Sequence, residues 1–155
     1  MEIKLEKAAE CDAEKIRSMQ RTAFSGLLAR YRDEDTSPAN EPLERIEAKL
    51  KQDTTHFYFI FSGGDCVGAV RAVVPKDGGR KRIAPIFIME EHRGRGLAQA
   101  AIKELERIHG EDNWELDTIL QEAGNCYLYE KMGYVKTGVI EKINDRMDIV
   151  YYEKN

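Results

Sequence analysis

The stretch that most constrains this chain is Met89-Glu90-Glu91-His92-Arg93-Gly94-Arg95-Gly96-Leu97-Ala98, which follows the apolar run Ile83-Ala84-Pro85-Ile86-Phe87-Ile88 and opens a helical pattern. A strand that turns through Arg-Gly-x-Gly into a helix leaves several backbone N–H groups unpaired at the positive end of the helix dipole. Glycines let a ligand's oxygens approach them. That is an anion site, suited above all to phosphate. Arg93 and Arg95 add charge and forked donors that suit a pyrophosphate. A plain strand-to-helix turn with two solvated arginines would use the same residues, so a second signal is needed.

Spacing argues against two nucleotide sites. The Gly-x4-Gly-Lys-Ser/Thr of a P-loop is absent, and a dinucleotide fingerprint wants a third glycine where Gln99 stands. Such a fingerprint also opens the first strand-helix unit of an alternating series, whereas several strands come before this loop.

The 155 residues suit one domain, 1–155, able to bury about two-thirds of its unfolded surface without metal or disulfide help. The 24 basic and 28 acidic residues are interspersed and give a formal charge of −4. Neither nucleic acid nor an anionic membrane is generically attracted, which points to a small-molecule partner. Cys11, Cys66 and Cys126 are widely spaced, and His56, His92 and His109 are scattered, so no metal site is expected. The absence of a signal peptide or membrane-length apolar run fits a reducing cytoplasm.

The order of patterns is mixed α and β. Glu2-Ile3-Lys4-Leu5-Glu6 alternates as a first strand would, and Asp12 opens a helix carrying Ile16, Met19, Ala23, Phe24, Leu27 and Leu28. A polar loop from Arg30 to Pro38 leads to a second helix with Leu43, Ile46 and Leu50 on one face. Two β-rich runs, at 57–61 and 66–74, flank Ser62-Gly63-Gly64-Asp65 as a hairpin, and the next strand delivers the chain to the anion loop. Pro85 in that strand removes a ladder donor, as a bulge, an opened pairing or an edge strand allows. A helix through Leu97, Ala101, Ile102, Leu105 and Ile108 crosses to a parallel strand at 114–119. A short helix and two hairpin-like strands, 134–140 and 147–152, finish the chain.

The second signal is Asn125-Cys126-Tyr127-Leu128-Tyr129-Glu130-Lys131-Met132-Gly133-Tyr134, which puts Asn125 and Tyr129 on one face of a helix that Gly133 ends. Glu91-His92-Arg93-Gly94-Arg95-Gly96 resembles the coenzyme A loop of the GCN5-related N-acetyltransferases, Gln/Arg-x-x-Gly-x-Gly/Ala, with Glu91 at the first position. The Asn125 to Tyr134 stretch resembles the second half of the same family's signature, with a shorter spacing between Asn125 and Tyr129 than in some members. The resemblance covers most of the chain. It implies a central, mostly antiparallel twisted sheet of six or seven strands with a parallel splayed pair, flanked by about four helices.

It also implies acetyl transfer from acetyl-CoA to an amine, here the primary amine of a small molecule. Backbone amides of Arg93, Gly94, Arg95, Gly96, Leu97 and Ala98 would hold the pyrophosphate, the backbone of Ile88 and Met89 would pair with pantetheine, and Asn125 would contact that arm. Tyr129 would give a proton to the departing thiolate, which a phenol protonated at neutral pH can do. A backbone N–H near Ile88 or Met89 would polarise the thioester carbonyl. For the base that takes the amine's proton, Glu122 stands first and Glu90 second, with Glu91 and a water-linked His56 behind them. Cys126 reads as a packed thiol. Acidic residues Asp33, Glu34 and Asp35 in the first inter-helix loop favour a cationic acceptor, whereas Arg30-Tyr31-Arg32 suits a carboxylate. A homodimer stays open, as do a protein or peptide N-acetyltransferase and a catalytically silent acyl-CoA-binding module.

Overall fold

The computed structural model describes residues 2–155. Its strands are β1 (Ile3–Lys7), β2 (Thr55–Ser62), β3 (Asp65–Val73), β4 (Lys81–Ile88), β5 (Trp114–Ile119), β6 (Val135–Asn144) and β7 (Met147–Lys154). Its helices are α1 (Ala13–Ala23), α2 (Ser25–Tyr31), α3 (Leu43–Lys51), α4 (Leu97–His109) and α5 (Ala123–Lys131). The strands form one sheet in the order β1-β2-β3-β4-β5-β7-β6, with β4 and β5 its parallel pair. Its other neighbours are antiparallel, as the motif resemblance implied.

Helices cover both faces of the sheet, so the aromatic run in β2 has no polar face to show. Phe57 and Phe59 join Ile16, Ala23 and Ile46 on one side, while Tyr58 and Ile60 join Leu97, Ala101, Ile102 and Leu105 on the other. The two-residue strand period sends alternate side chains to opposite layers. Each large apolar side chain so buried contributes about 1.5–3 kcal/mol before entropy is counted. On the α4 side the buried Glu106 accepts the Tyr134 hydroxyl at 3.0 Å and Lys154 Nζ at 3.1 Å, so its charge is not left unpaired.

Helical spacing predicts one helix through Leu28, but the chain breaks at Phe24 (φ −98°, ψ 3°), giving five helices in place of four. Tertiary partners hold the break. The Ala23 carbonyl accepts from Arg93 Nη2 at 2.8 Å, and the Phe24 ring meets Phe87 edge-on at 5.5 Å. The end of α2 and the loop that follows are also less solvated than their composition suggests. Tyr31 and Asp33 are buried, and Asp33 closes its own turn by accepting from the N–H and hydroxyl of Thr36. Among the described residues, no helix is long and apolar enough to cross a membrane.

The site is positioned by an opening in the sheet. β4 and β5 pair only at Lys81↔Trp114 and Arg82↔Glu115, after which they diverge. On its other edge β4 carries a bulge. Val70 pairs with Ile86 and Ala72 with Ile83, so Arg71 alone faces Ala84 and Pro85. Pro85 therefore sits at a bulge of an interior strand and not at a sheet edge.

Beyond the bulge β3 and β4 approach closely, and Gly68 makes this possible: a Cβ there would lie 2.1 Å from the Phe87 carbonyl oxygen. Gly68→Ala must push β4 away from β3. We expect it to lower stability by roughly 3 kcal/mol, read as a fall in the urea midpoint at constant m-value. An unchanged midpoint would show that the two strands separate there at little cost.

Candidate active site

A short 3-10 turn, Glu90–His92, lies between β4 and the glycine loop, where the motif alone suggested a direct passage. Gly94 and Gly96 then take φ values of 81° and 75°, which side chains with a Cβ resist. Gly96 is the N-cap of α4, its carbonyl accepting from Ala100 N at 3.1 Å, and no side chain caps the helix. The amides of Leu97, Ala98 and Gln99 thus begin the helix without intrahelical acceptors, beside those of Gly94, Arg95 and Gly96. This cradle suits an anion.

Arg93 belongs to the scaffold of the cradle. Its amide donates to Glu90 O at 3.2 Å, and its guanidinium donates to the Ile88 and Ala23 carbonyls, each at 2.8 Å. Arg93, expected to offer its amide and charge to a pyrophosphate, thus has its amide and two guanidinium nitrogens engaged within the fold, while its charge stays beside the cradle. The exposed Arg95 keeps that possibility.

Register decides which backbone groups of β4 face the opening. Met89 N donates to Val67 O at 2.8 Å, and its carbonyl accepts from His92 N at 2.9 Å. Met89, expected to pair with pantetheine, thus has its backbone N–H and carbonyl engaged by β3 and the 3-10 turn. Ile88 lies opposite Gly68 between hydrogen-bonded pairs, so its N–H points away from β3 toward β5. The same parity turns Ile86 to the opening. Counting two residues back from Ile88 would have found it.

A cavity of about 520 Å³ fills the opening. It runs between residues 83–86 of β4 and 117–119 of β5, reaching α3 and the 33–38 loop on one side and α5 on the other. From α5, Asn125 and Tyr129 both line it, and Asn125 Nδ2 donates to Thr118 Oγ1 at 3.3 Å. The Tyr129 ring packs at 6.2 Å from both Tyr134 and Tyr152. Burial pushes the Tyr129 phenol well above its ordinary pKa, and nearby Asp117 and Cys126 add to the shift.

Neither expected base lies on the cavity wall. Glu122, just before α5, accepts from Arg30 Nη1 at 2.8 Å and from the Tyr31 hydroxyl at 2.5 Å. It fastens α5 to α2. Glu90 is exposed on the 3-10 turn, and the His56 ring lies tilted against His109, centroids 4.7 Å apart, beside Lys7 of β1. Glu122 and Glu90, the expected bases, thus stand apart from the residues that line this cavity. The polar wall is built instead by residues outside both motifs, among them Glu41, Arg45, Lys49, Arg71 and Asp117. Arg71 and Asp117 were visible as charges inside strand patterns. The helix α3 residues carried no such signal.

The Acetyltransferase (GNAT) family matches residues 14–134. No curated protein sequence matches the chain. Among solved structures, a chimera of the spermidine N-acetyltransferase SpeG from Vibrio cholerae and hSSAT shares 16% identity with a TM-score of 0.75, covering 99% of this chain and 96% of that one. The PaiA N-acetyltransferase of Thermoplasma acidophilum, in complex with coenzyme A, shares 15% at a TM-score of 0.70, with 100% of both chains covered. The ribosomal-protein-S18-alanine N-acetyltransferase of Escherichia coli shares 12% at a TM-score of 0.74, covering 97% and 92%. With the family matched over most of its length and the fold shared along all of it, this chain belongs to the GNAT family and is an N-acetyltransferase that uses acetyl-CoA.

Proposed function

We propose that the protein acetylates the primary amine of a small molecule by direct attack of the amine on the acetyl-CoA thioester. The observation that carries this is the cavity. Its volume of about 520 Å³ is that of a small-ligand site. Since the acetyl end of the cosubstrate must share it, the space left suits a compact amine. Similar folds serve enzymes named for spermidine and for a ribosomal protein's alanine, so likeness does not choose between acceptors.

The residues present fit acetyl-CoA. The uncapped amides of Gly94, Arg95, Gly96, Leu97 and Ala98 are suited to its pyrophosphate, and the Ile86 and Ile88 edge to the peptide-like arm. Asn125 stands across the opening. Acetyl-CoA supplies an activated acyl group and a thiolate leaving group. The protein holds them and manages two charges, and the proton that the attacking nitrogen loses passes to water in the open cavity. The Ile88 N–H is available to the thioester carbonyl oxygen, and the Tyr129 hydroxyl to the sulfur as proton donor. Cys126 Sγ faces the carbonyls of Ile119 and Leu120, at 4.0 and 3.8 Å, which agrees with a packed thiol and with transfer that forms no enzyme-bound acyl group.

Three outcomes test these roles. Gly96→Asp places a side chain at positive φ and a negative charge in the cradle. It should weaken acetyl-CoA by roughly a hundred-fold, about 2.7 kcal/mol, in calorimetric titration. Unchanged affinity would mean that the loop does not hold the pyrophosphate. Tyr129→Phe should lower kcat by roughly ten- to a thousand-fold while acetyl-CoA affinity holds; full activity would assign the proton to water or another group.

The direction of the Tyr129 shift gives the third. A phenol whose folded pKa lies above the ordinary value of about 10 stays protonated up to and beyond that pH. With a weakly basic amine acceptor, kcat should show no alkaline limb below about pH 10. A limb near pH 9 that Tyr129→Phe removes would contradict a buried, protonated donor.

A further inference from the structure

The α3 and β3 side of the cavity brings three cations together with one carboxylate, Glu41. Arg45 and Lys49 reach it from α3, and Arg71 from the bulged part of β3. Lys49 is ion-paired with Glu41, whose other oxygen accepts from Gln20 Nε2 at 3.0 Å, so both oxygens of Glu41 are engaged. Asp117 of β5, also on the cavity, is paired with Arg82 of β4. Arg71 meets only neutral acceptors: Nε donates to the Ala84 carbonyl at 2.5 Å and Nη1 to Thr55 Oγ1 at 3.4 Å. Among the described residues, Arg71 and Arg45 have no carboxylate partner within ion-pair distance. Arg71 is half-buried and Arg45 is exposed at the wall's outer side.

Cations gathered in a partly desolvated cavity are unfavourable without matching anions. The strain is visible in Lys49, whose ammonium is pulled below its ordinary pKa by burial and, more weakly, by Arg71 and Arg45, even with Glu41 opposing. Among the described residues Arg71 Nη2 has no hydrogen-bond partner, so the guanidinium keeps a charged donor for a carboxylate or phosphate. A polyamine would be repelled from this wall. The remaining acidic groups on the cavity keep their charge but stand on other elements, Asp33 and Asp35 on the loop after α2 and Glu141 on β6.

We infer that the acceptor is a small primary amine that also carries an anionic group, a carboxylate or a phosphate, and that Arg71, with Arg45 beside it, receives that group. The amine end then lies toward the gap between β4 and β5. This rests on the acetyl-transfer function proposed above and narrows its substrate class.

The test is a set of matched amines assayed with acetyl-CoA by thiol release: β-alanine against β-alaninamide, O-phosphoethanolamine against ethanolamine, and spermidine alone. The anionic member of at least one pair should exceed its neutral partner by about ten-fold or more in kcat/KM, and should exceed spermidine. The two pairs separate carboxylate from phosphate. Arg71→Gln should narrow the gap by raising KM for the anionic member more than for the neutral one. Arg45→Gln, on an exposed helix position, should do the same to a smaller extent and keeps the test open should the half-buried substitution not fold. Preference for neutral amines or spermidine, or a gap that survives both substitutions, overturns the inference. So does acetyl-CoA binding, read as a thermal shift, with no turnover of any anionic amine. Failure of acetyl-CoA to shift the melting point instead removes the acetyl-transfer function itself.

Discussion

The structure depends on a pairing that stops early. β4 and β5 share two register positions and then part, although an unpaired strand edge within a protein leaves N–H and C=O groups that need partners. The opening therefore has to be held by other forces. On the β3 side the bulge opposite Arg71 bends β4, and closer contact resumes where Gly68 admits the backbone of Phe87 and Ile88. Beyond β5, pairing with β7 continues along the whole strand, from Trp114↔Lys154 to Ile119↔Ile149. Each strand is fixed by its outer neighbour, so the gap between them can persist.

Arg93 turns that gap into one end of a longer site. Its guanidinium joins the end of β4, through Ile88, to the end of α1, through Ala23. The loop that follows is thereby set relative to both the opened strand edge and the helices that border the cavity. Charge-assisted bonds to two carbonyls are worth more than neutral ones, and both carbonyls lie where regular pairing has ended. The same bond at Ala23 helps to interrupt the helix at Phe24, which lets α2 turn away and brings Leu27 and Leu28 to the cavity. Loop, helix break and cavity wall share one side chain.

The fold was legible wherever local pattern and tertiary need agreed. Alternation in β1, the β-rich runs of β2 and β3 around their turn, helical spacing in α4 and the glycines at 94 and 96 all report on backbone geometry that neighbours in sequence largely determine. The family was legible for the same reason, since its two motifs are local. The helix break at Phe24 was not, because the partners that hold it, Arg93 and Phe87, stand far away in sequence. The fate of Glu122 was not either: its partners Arg30 and Tyr31 stand 92 and 91 residues away, and no spacing rule connects them. A carboxylate beside a motif looks available until the fold supplies the cation that occupies it.

Charge shows the same limit on a larger scale. A formal charge of −4, together with an acidic inter-helix loop, points to a cationic acceptor when the chain is treated as a whole. Inside the cavity the balance is local and differs from one wall to the next. Screening by solvent weakens the many exposed carboxylates, while Arg71, half-buried beside a neutral carbonyl and a hydroxyl, keeps most of its field. The acceptor meets that field and not the average. The bulge that places Arg71 opposite Ala84 and Pro85 also helps to open β4 from β5, so one irregularity in β4 shapes both the gap and the charge beside it.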